Sequence, residues 1–207
     1  MSGSAALRGS MRIAEYLFQH SEALGSDLEL ARTTCFSYCF SVENQAKSNL
    51  RKRLQRFLTD KDTFTLITSL QEKKSNHIDM FFQQYILQTM RDYQMDFSVD
   101  NVRQTFMRVQ EHQARYRPDG LKALGILILT FGRTYEFRQG NQTMRINNPL
   151  GIKGLDDDEE VLHFAELLIS LQHLRNPYIH PEISGREGIE IIRQKAIECL
   201  NILAKIK

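Results

Sequence analysis

A continuous apolar stripe over residues 28–58 is the feature that most restricts the fold of this chain. Apolar side chains recur there every three or four residues, a spacing that places them on one face of an α-helix. The stripe predicts one long helix or two abutting helices over 28–58. Its members are Leu30, Cys35, Tyr38, Cys39, Val42, Ala46, Leu50, Leu54 and Phe57.

Helical spacing continues along much of the chain. It predicts helices over 62–70, 76–93 and 98–116, with Asn76 and Ser98 as N-cap residues. Apolar residues at the same spacing lie before and after Arg175, so that residue is expected to stand between two packed helices. Residues 121–131 are so uniformly apolar that a buried helix and a buried strand both remain open.

One short segment has a different pattern. Two runs on either side of Gln139-Gly140-Asn141 predict a β-hairpin over 134–146, because glycine supplies the turn. The predicted fold class is therefore all-α, a helical bundle with a small β-hairpin insertion, forming a single domain over 11–207. Residues 1–10 are expected to be an added leader, with Met11 as a native or fragment start.

Composition sets limits on location and partners. The 207 residues are 42% hydrophobic, which is enough for a real core, and no apolar run approaches the ~20 residues of a membrane-spanning helix. Three cysteines without a metal-ligand pattern, Cys35, Cys39 and Cys199, predict reduced thiols in a cytoplasmic protein. The net charge of +2 permits RNA binding without requiring it, and 17 of the 27 basic residues are arginine.

The segment Arg175-Asn176-Pro177-Tyr178-Ile179-His180 carries the residues best suited to chemistry. His180 could accept or donate a proton near neutral pH, and Arg175 could hold a phosphate through paired hydrogen bonds. Asn176 could orient either residue or the substrate. These catalytic candidates stand where Pro177 and Pro181 break the helical pattern, and their chemistry requires no metal or cofactor.

With the apolar helices on both sides, this segment resembles the R-x(4-6)-H signature of the HEPN superfamily, over roughly residues 156–207. The resemblance implies a helical, metal-independent endoribonuclease that cuts single-stranded RNA by attack of the RNA's own 2′-hydroxyl on the adjacent phosphate. It implies a homodimer in which both Arg/His sets line one cleft, and a regulatory or antitoxin protein as partner in a defence or toxin system. Glu182 occupies the position of a family tyrosine, so the role of that tyrosine is not carried over.

Other interpretations remain open. Arg175 could be a C-terminal cation that interacts with a helix dipole, and His180-Pro181-Glu182 could be a helix-entry turn. The domain could then be a non-catalytic nucleotide- or protein-binding module. Such a module could be a fragment of a larger protein. A third reading takes the hairpin as the wing of a DNA-binding domain.

Two charged clusters have structural and functional readings. Lys47, Arg51 and Lys52, with Arg53 and Arg56, could follow an RNA backbone or simply form a solvated helix face. The acidic run 156–160 is expected to cap the next helix rather than to bind a metal ion.

Overall fold

In a computed structural model the chain is mostly α-helical, with one pair of short strands. The structure describes residues 5–71, 77–92, 95–139, 141–155, 157–179 and 186–206. The wide turn Phe82–Ile86 is a π-helix, and Glu22–Gly25, Gln113–Arg115 and Asn176–Tyr178 are 3-10 turns. The helices are α1 (Ala5–His20), α2 (Leu28–Thr59), α3 (Lys61–Gln71), α4 (His77–Phe81), α5 (Leu87–Asp92), α6 (Val99–His112), α7 (Gly120–Phe131), α8 (Asp158–Arg175) and α9 (Arg186–Lys205).

The apolar stripe over 28–58 lies on a single helix, α2. This is the first of the two predicted alternatives, one long helix or two abutting helices. The Asp27 carboxylate begins it by accepting hydrogen bonds from the backbone N–H groups of Glu29 and Leu30, at 2.9 and 3.0 Å. From Cys35 to Phe57 every member of the stripe is buried. Helix α1 begins at Ala5, so six residues of the segment 1–10 are helical.

Contacts group the residues into two compact units, which are described separately. Unit 1 contains residues 1–49 and 170–207. A polar cluster on Glu15 joins three helices there: Arg193 of α9 donates two hydrogen bonds to the Glu15 carboxylate, at 2.8 and 3.0 Å. The Tyr38 hydroxyl of α2 donates a third, at 2.9 Å. Unit 1 is thus held by a charge-assisted network as well as by apolar packing.

Unit 2 contains residues 50–169 and is built around α7. Leu121 and all residues from Leu124 to Phe131 are buried, which settles the open choice over 121–131 in favour of a helix that is covered on every side. The Phe131 ring packs against the rings of Phe57 and Phe106, at centroid distances of 4.9 and 5.4 Å. The apolar character of α7 therefore reflects complete burial.

The predicted N-caps have different outcomes. Ser98 caps α6 in a reciprocal arrangement: its Oγ accepts from Asn101 N, and its own N–H donates to Asn101 Oδ1 at 3.0 Å. Asn76 lies outside the described residues. In the acidic run, Asp157 Oδ1 accepts from Glu160 N at 2.9 Å at the start of α8, as the capping interpretation predicts, while Asp156 lies outside the described residues.

Two strands occupy the segment between α7 and α8. Strand β1 (Thr134–Gln139) pairs antiparallel with β2 (Gln142–Asn147), with Thr134 opposite Asn147 and Gln139 opposite Gln142. Ile146 is buried, whereas Thr134, Glu136 and Arg145 are exposed. Throughout the described ranges, every helix is too short or too polar to span a membrane.

Gly125 in α7 is a position where only a hydrogen atom fits. A Cβ atom there would lie 2.7 Å from Ile169 Cγ1 and 3.0 Å from the Ala165 carbonyl oxygen of α8. We expect Gly125→Ala to lower the free energy of unfolding by ~1 kcal/mol, because overpacking exceeds the gain in helix propensity. Gly9→Ala should raise stability by about 0.5 kcal/mol, because no described residue has an atom within 4 Å of the added Cβ. Urea unfolding of both variants measures this, and a stabilised Gly125→Ala would contradict it.

The Glu15 network should make stability depend on pH. Burial raises the pKa of Glu15, but the hydrogen bonds from Arg193 and Tyr38 outweigh burial and lower it below its ordinary value of 4.5. The carboxylate therefore stabilises the fold above pH 4.5, and this contribution is lost as the pH falls through the lowered value. At neutral pH, Glu15→Gln should cost about 1–3 kcal/mol.

The measurement is urea unfolding of the wild type and Glu15→Gln at neutral pH and at a pH below the lowered pKa. The difference between them should shrink in acid. Glu190→Gln, at an exposed position of α9, is the matched control and should differ little from the wild type at either pH. A difference that stayed constant on acidification would show that the charge on Glu15 contributes nothing.

Candidate functional site

Arg175 is the last residue of α8, at a break that the sequence predicts. The chain leaves the helix in the 3-10 turn Asn176–Tyr178, which Ile179 closes by donating its N–H to the Asn176 carbonyl at 2.9 Å. Pro177 lies in the first positions of this turn and has no N–H with which to continue the α-helical hydrogen bonds. The proline thus places Arg175 and Asn176 on either side of the helix end.

The turn is fixed to α2 within unit 1. Arg32 Nε donates to the Tyr178 carbonyl at 2.8 Å, and the Tyr178 side chain is almost fully buried. Arg32 also forms an ion pair with Glu29, one turn earlier on α2, at 2.8 Å. The segment that carries the candidate residues is therefore held by a buried aromatic ring and a charge-assisted hydrogen bond.

The Arg175 guanidinium lies against α2, with 15% of the side chain exposed. Its carbon is 5.9 Å from the centroid of the Phe36 ring, a cation–π distance. Its Nη1 lies 3.8 Å from Glu43 Oε2, which is an ion pair but longer than a hydrogen bond. Arg175 Nε is buried without a hydrogen-bond partner among the described residues. The guanidinium is neutralised only loosely and keeps unused donors.

Glu43 is shared between two cations. Its other oxygen, Oε1, accepts a 2.6 Å hydrogen bond from Lys47 Nζ, one turn further along α2. We call Glu43, Lys47 and Arg175 the Glu43 cluster. With one carboxylate and two cations, the cluster keeps one surplus positive charge, which favours an anionic ligand.

Asn176 is half-buried beside Arg175. Its Oδ1 accepts from Gln172 Nε2 at 3.2 Å, which orients the amide so that its Nδ2 group is the remaining donor. Gln172 Oε1 is itself buried without a partner in the described part of the chain. Asn176 is thus positioned from α8, as an orienting residue would need to be.

His180 lies outside the described residues, as does Pro181. The structure therefore places two of the three predicted catalytic residues, Arg175 and Asn176, next to one another. The role of His180 stays a prediction.

The basic residues of α2 are not equivalent. Lys47 is engaged by Glu43, whereas Arg51 and Lys52 are exposed. Arg53, expected on the same solvated face, is half-buried and donates to the Gly151 carbonyl within unit 2. Because they are exposed, the side chains of Arg51 and Lys52 are accessible to a polyanion.

Sequence reasoning missed Glu43 and Phe36 as partners of Arg175. A signal was present, since Glu43 falls four residues after Cys39 and three before Ala46, on the apolar side of α2. A carboxylate there must be paired, because burial of an unpaired charge is costly. What the sequence lacks is the identity of the partner, which lies on α8.

The Cys35 thiol, which lies near Arg175, is not a nucleophile. Cys35, Cys39 and Cys199 are all buried and unbridged. A hydrogen bond with Cys39, together with burial, raises the pKa of the Cys35 thiol well above its ordinary value. Because the thiolate is the reactive form, Cys35 stays inert at neutral pH.

Across the described ranges, no three His, Cys, Asp or Glu side chains are grouped so that they could hold a metal ion. The donors at the candidate site are instead a guanidinium and amide groups, which bind anions. Comparisons of the chain with protein-family models, with curated proteins and with solved structures found no match.

Proposed function

We propose that this protein is a HEPN-type, metal-independent endoribonuclease that cuts single-stranded RNA. The observation that supports this most is the position of the Arg175 guanidinium. It is held on a packed scaffold, and its contact with the Glu43 carboxylate is only a 3.8 Å ion pair. Arg175 is the cation that stabilises charge on the phosphate, Asn176 orients it or the substrate, and His180 is the general acid/base.

The reaction needs two proton transfers and charge stabilisation. His180 removes the proton of a ribose 2′-hydroxyl, whose oxygen attacks the adjacent phosphorus. The bond from phosphorus to the 5′-oxygen breaks, and that oxygen takes a proton, leaving a cyclic phosphate and a 5′-hydroxyl. Arg175 stabilises the extra negative charge that builds on the phosphate oxygens in the transition state.

The loose pairing with Glu43 supports this role. A phosphate that accepts two parallel hydrogen bonds from a guanidinium at ~2.8 Å binds it more strongly than a carboxylate at 3.8 Å can. Lys47 remains on the other oxygen of Glu43, so the carboxylate keeps a partner when Arg175 turns to a substrate. The Glu43 cluster can thus exchange one anion for another without leaving a charge unpaired.

The proposed active unit is a homodimer. A single Arg175/His180 set offers one proton-transfer group, whereas the reaction removes one proton and delivers another. Two sets in one cleft supply both groups at once. A regulatory or antitoxin protein is the further partner that the HEPN resemblance implies.

The alternative is a binding module without turnover. The specific observation in its favour is that Arg175 is mostly buried, so its pairing with Glu43 could serve only to hold the end of α8 against α2. In that case, removing Arg175 would lower the stability of the fold, and the wild-type protein would have no cleavage activity for the substitution to reduce.

Arg175→Ala and His180→Ala should each slow RNA cleavage by ~100-fold or more, because they remove charge stabilisation and proton transfer respectively. The assay is labelled single-stranded RNA incubated with the protein in EDTA, with identification of the product ends. Cyclic phosphate ends are expected. His112→Ala, which removes an exposed histidine of α6, is the matched control and should cleave like the wild type.

Circular dichroism and sedimentation of the same variants show whether fold and dimer survive. Wild-type cleavage by His180→Ala would refute the assignment. So would a wild-type protein that binds RNA in EDTA but never cuts it, which is the outcome that the binding-module alternative predicts.

The exposed cations of α2 should act on RNA binding and not on the chemical step. Arg51→Ala together with Lys52→Ala should reduce the salt slope of log Kd by about 1.4 if both contact phosphates of a single strand. RNA affinity across a salt series measures this. Arg91→Ala on α5, also exposed, is the control. An unchanged slope would show that this helix face is only solvated.

A further inference from the structure

A cavity of about 90 Å³ lies at the start of α7, within unit 2. A single water molecule needs ~10–15 Å³ of cavity volume on the same measure, so this cavity has room for a small ligand. Its wall includes Asn101 and Arg108 of α6, Tyr116 from the segment between the helices, and Lys122 and Ile126 of α7. The cavity wall therefore combines cationic and amide groups with an apolar side chain, Ile126.

The start of α7 lacks its usual side-chain cap. Asp119 occupies the N-cap position but makes no capping hydrogen bond. Its carboxylate is instead bound by the Arg108 guanidinium. The N–H of Gly120 donates to the Pro118 carbonyl at 3.1 Å, whereas the Asp119 side chain leaves the N–H groups of Leu121 and Lys122, with their partial positive charge, uncapped in this 12-residue helix. Lys122 in the first turn lines the cavity and adds a full positive charge.

Tyr116 provides an independent observation at the same place. Tyr116 lines the cavity and is only 2% exposed, yet its hydroxyl has no hydrogen-bond partner in the described part of the chain. Burial and the nearby Asp119 charge raise the pKa of Tyr116 to about 12. The hydroxyl is therefore protonated at neutral pH, a donor without an acceptor.

The charges around the cavity favour an anion. Arg108 and Lys122 oppose the single carboxylate of Asp119, which leaves one surplus positive charge. Lys122 Nζ makes only a 3.3 Å hydrogen bond to Asn101 Oδ1, an oxygen that also accepts from Ser98 N at 3.0 Å. The ammonium group is therefore weakly engaged and can turn to a stronger acceptor.

We propose that this cavity binds a phosphate-type oxyanion, either inorganic phosphate or the phosphoryl group of a nucleotide. The anion accepts hydrogen bonds from the Lys122 ammonium group, from the N–H groups of Leu121 and Lys122, and from the Tyr116 hydroxyl, which then gains the acceptor it lacks. These donors come from the first turn of α7 and from the segment just before it, and an N-terminal helix turn suits a phosphate-type ligand. The site is independent of the proposed RNA cleavage.

The test is calorimetric titration of the full chain at low ionic strength, with inorganic phosphate in one arm and a nucleoside 5′-monophosphate in the other. Lys122→Met and Tyr116→Phe should each weaken binding by ~10-fold or more, since each removes a donor to a charged group. Lys153→Met and Tyr16→Phe, both at exposed positions, are the matched controls and should bind like the wild type. Tighter binding of the nucleotide would identify a nucleotide as the source of the phosphoryl group.

Thermal unfolding gives a second readout for Tyr116→Phe. Without ligand this variant should melt at a higher temperature than the wild type, because a buried hydroxyl without a partner is removed. Added phosphate should then raise its melting temperature less than that of the wild type. No binding of either probe at millimolar concentration, or binding that both variants leave unchanged, would overturn the proposal.

Discussion

The pairing of Glu43 with Arg175 is the interaction on which the candidate site depends. A guanidinium cannot lie against the apolar side of α2 without a counter-charge, because the desolvation penalty would exceed what packing returns. Glu43 supplies that charge, Phe36 offers its ring face, and Lys47 engages the second carboxylate oxygen. A direct hydrogen bond would commit Arg175 to a structural role, whereas a 3.8 Å contact leaves it able to bind another anion.

The helix break determines where this guanidinium stands. Were α8 to continue beyond Arg175, Asn176 would be one more residue of a regular helix; Pro177 instead turns the chain, and the buried Tyr178 ring anchors the turn. The Arg32 hydrogen bond to the Tyr178 carbonyl then ties the turn to the same helix that carries Glu43. One element, α2, thus positions both the backbone of the turn and the side chain of Arg175. Its long apolar stripe therefore underlies both the packing and the candidate site.

Much of the fold could be predicted from local pattern. The extent of α2, the cap at Ser98 and the break at Pro177 each depend on residues close together in sequence, and each is confirmed. Residues 121–131 could not be resolved because a helix buried on all sides has no polar face to reveal its period. The partners of Glu43 and Glu15 could not be identified for another reason: Arg175 and Arg193 lie far along the chain, and nothing local indicates which distant residue pairs with a buried carboxylate.

The two proposed sites share one feature, buried polar atoms that have no hydrogen-bond partner among the described residues. In a folded protein such an atom costs about 1–3 kcal/mol, so each one that persists requires an explanation. Among the described residues, Arg175 Nε is such an atom and a donor, on a candidate catalytic residue, and the Tyr116 hydroxyl is another donor, on a residue that lines the α7 cavity. At both places the nearby carboxylate is bound by another cation: Lys47 binds Glu43, and Arg108 binds Asp119. An incoming oxyanion would supply acceptors that the protein withholds, and the cost of leaving these donors unsatisfied would then be recovered as binding free energy.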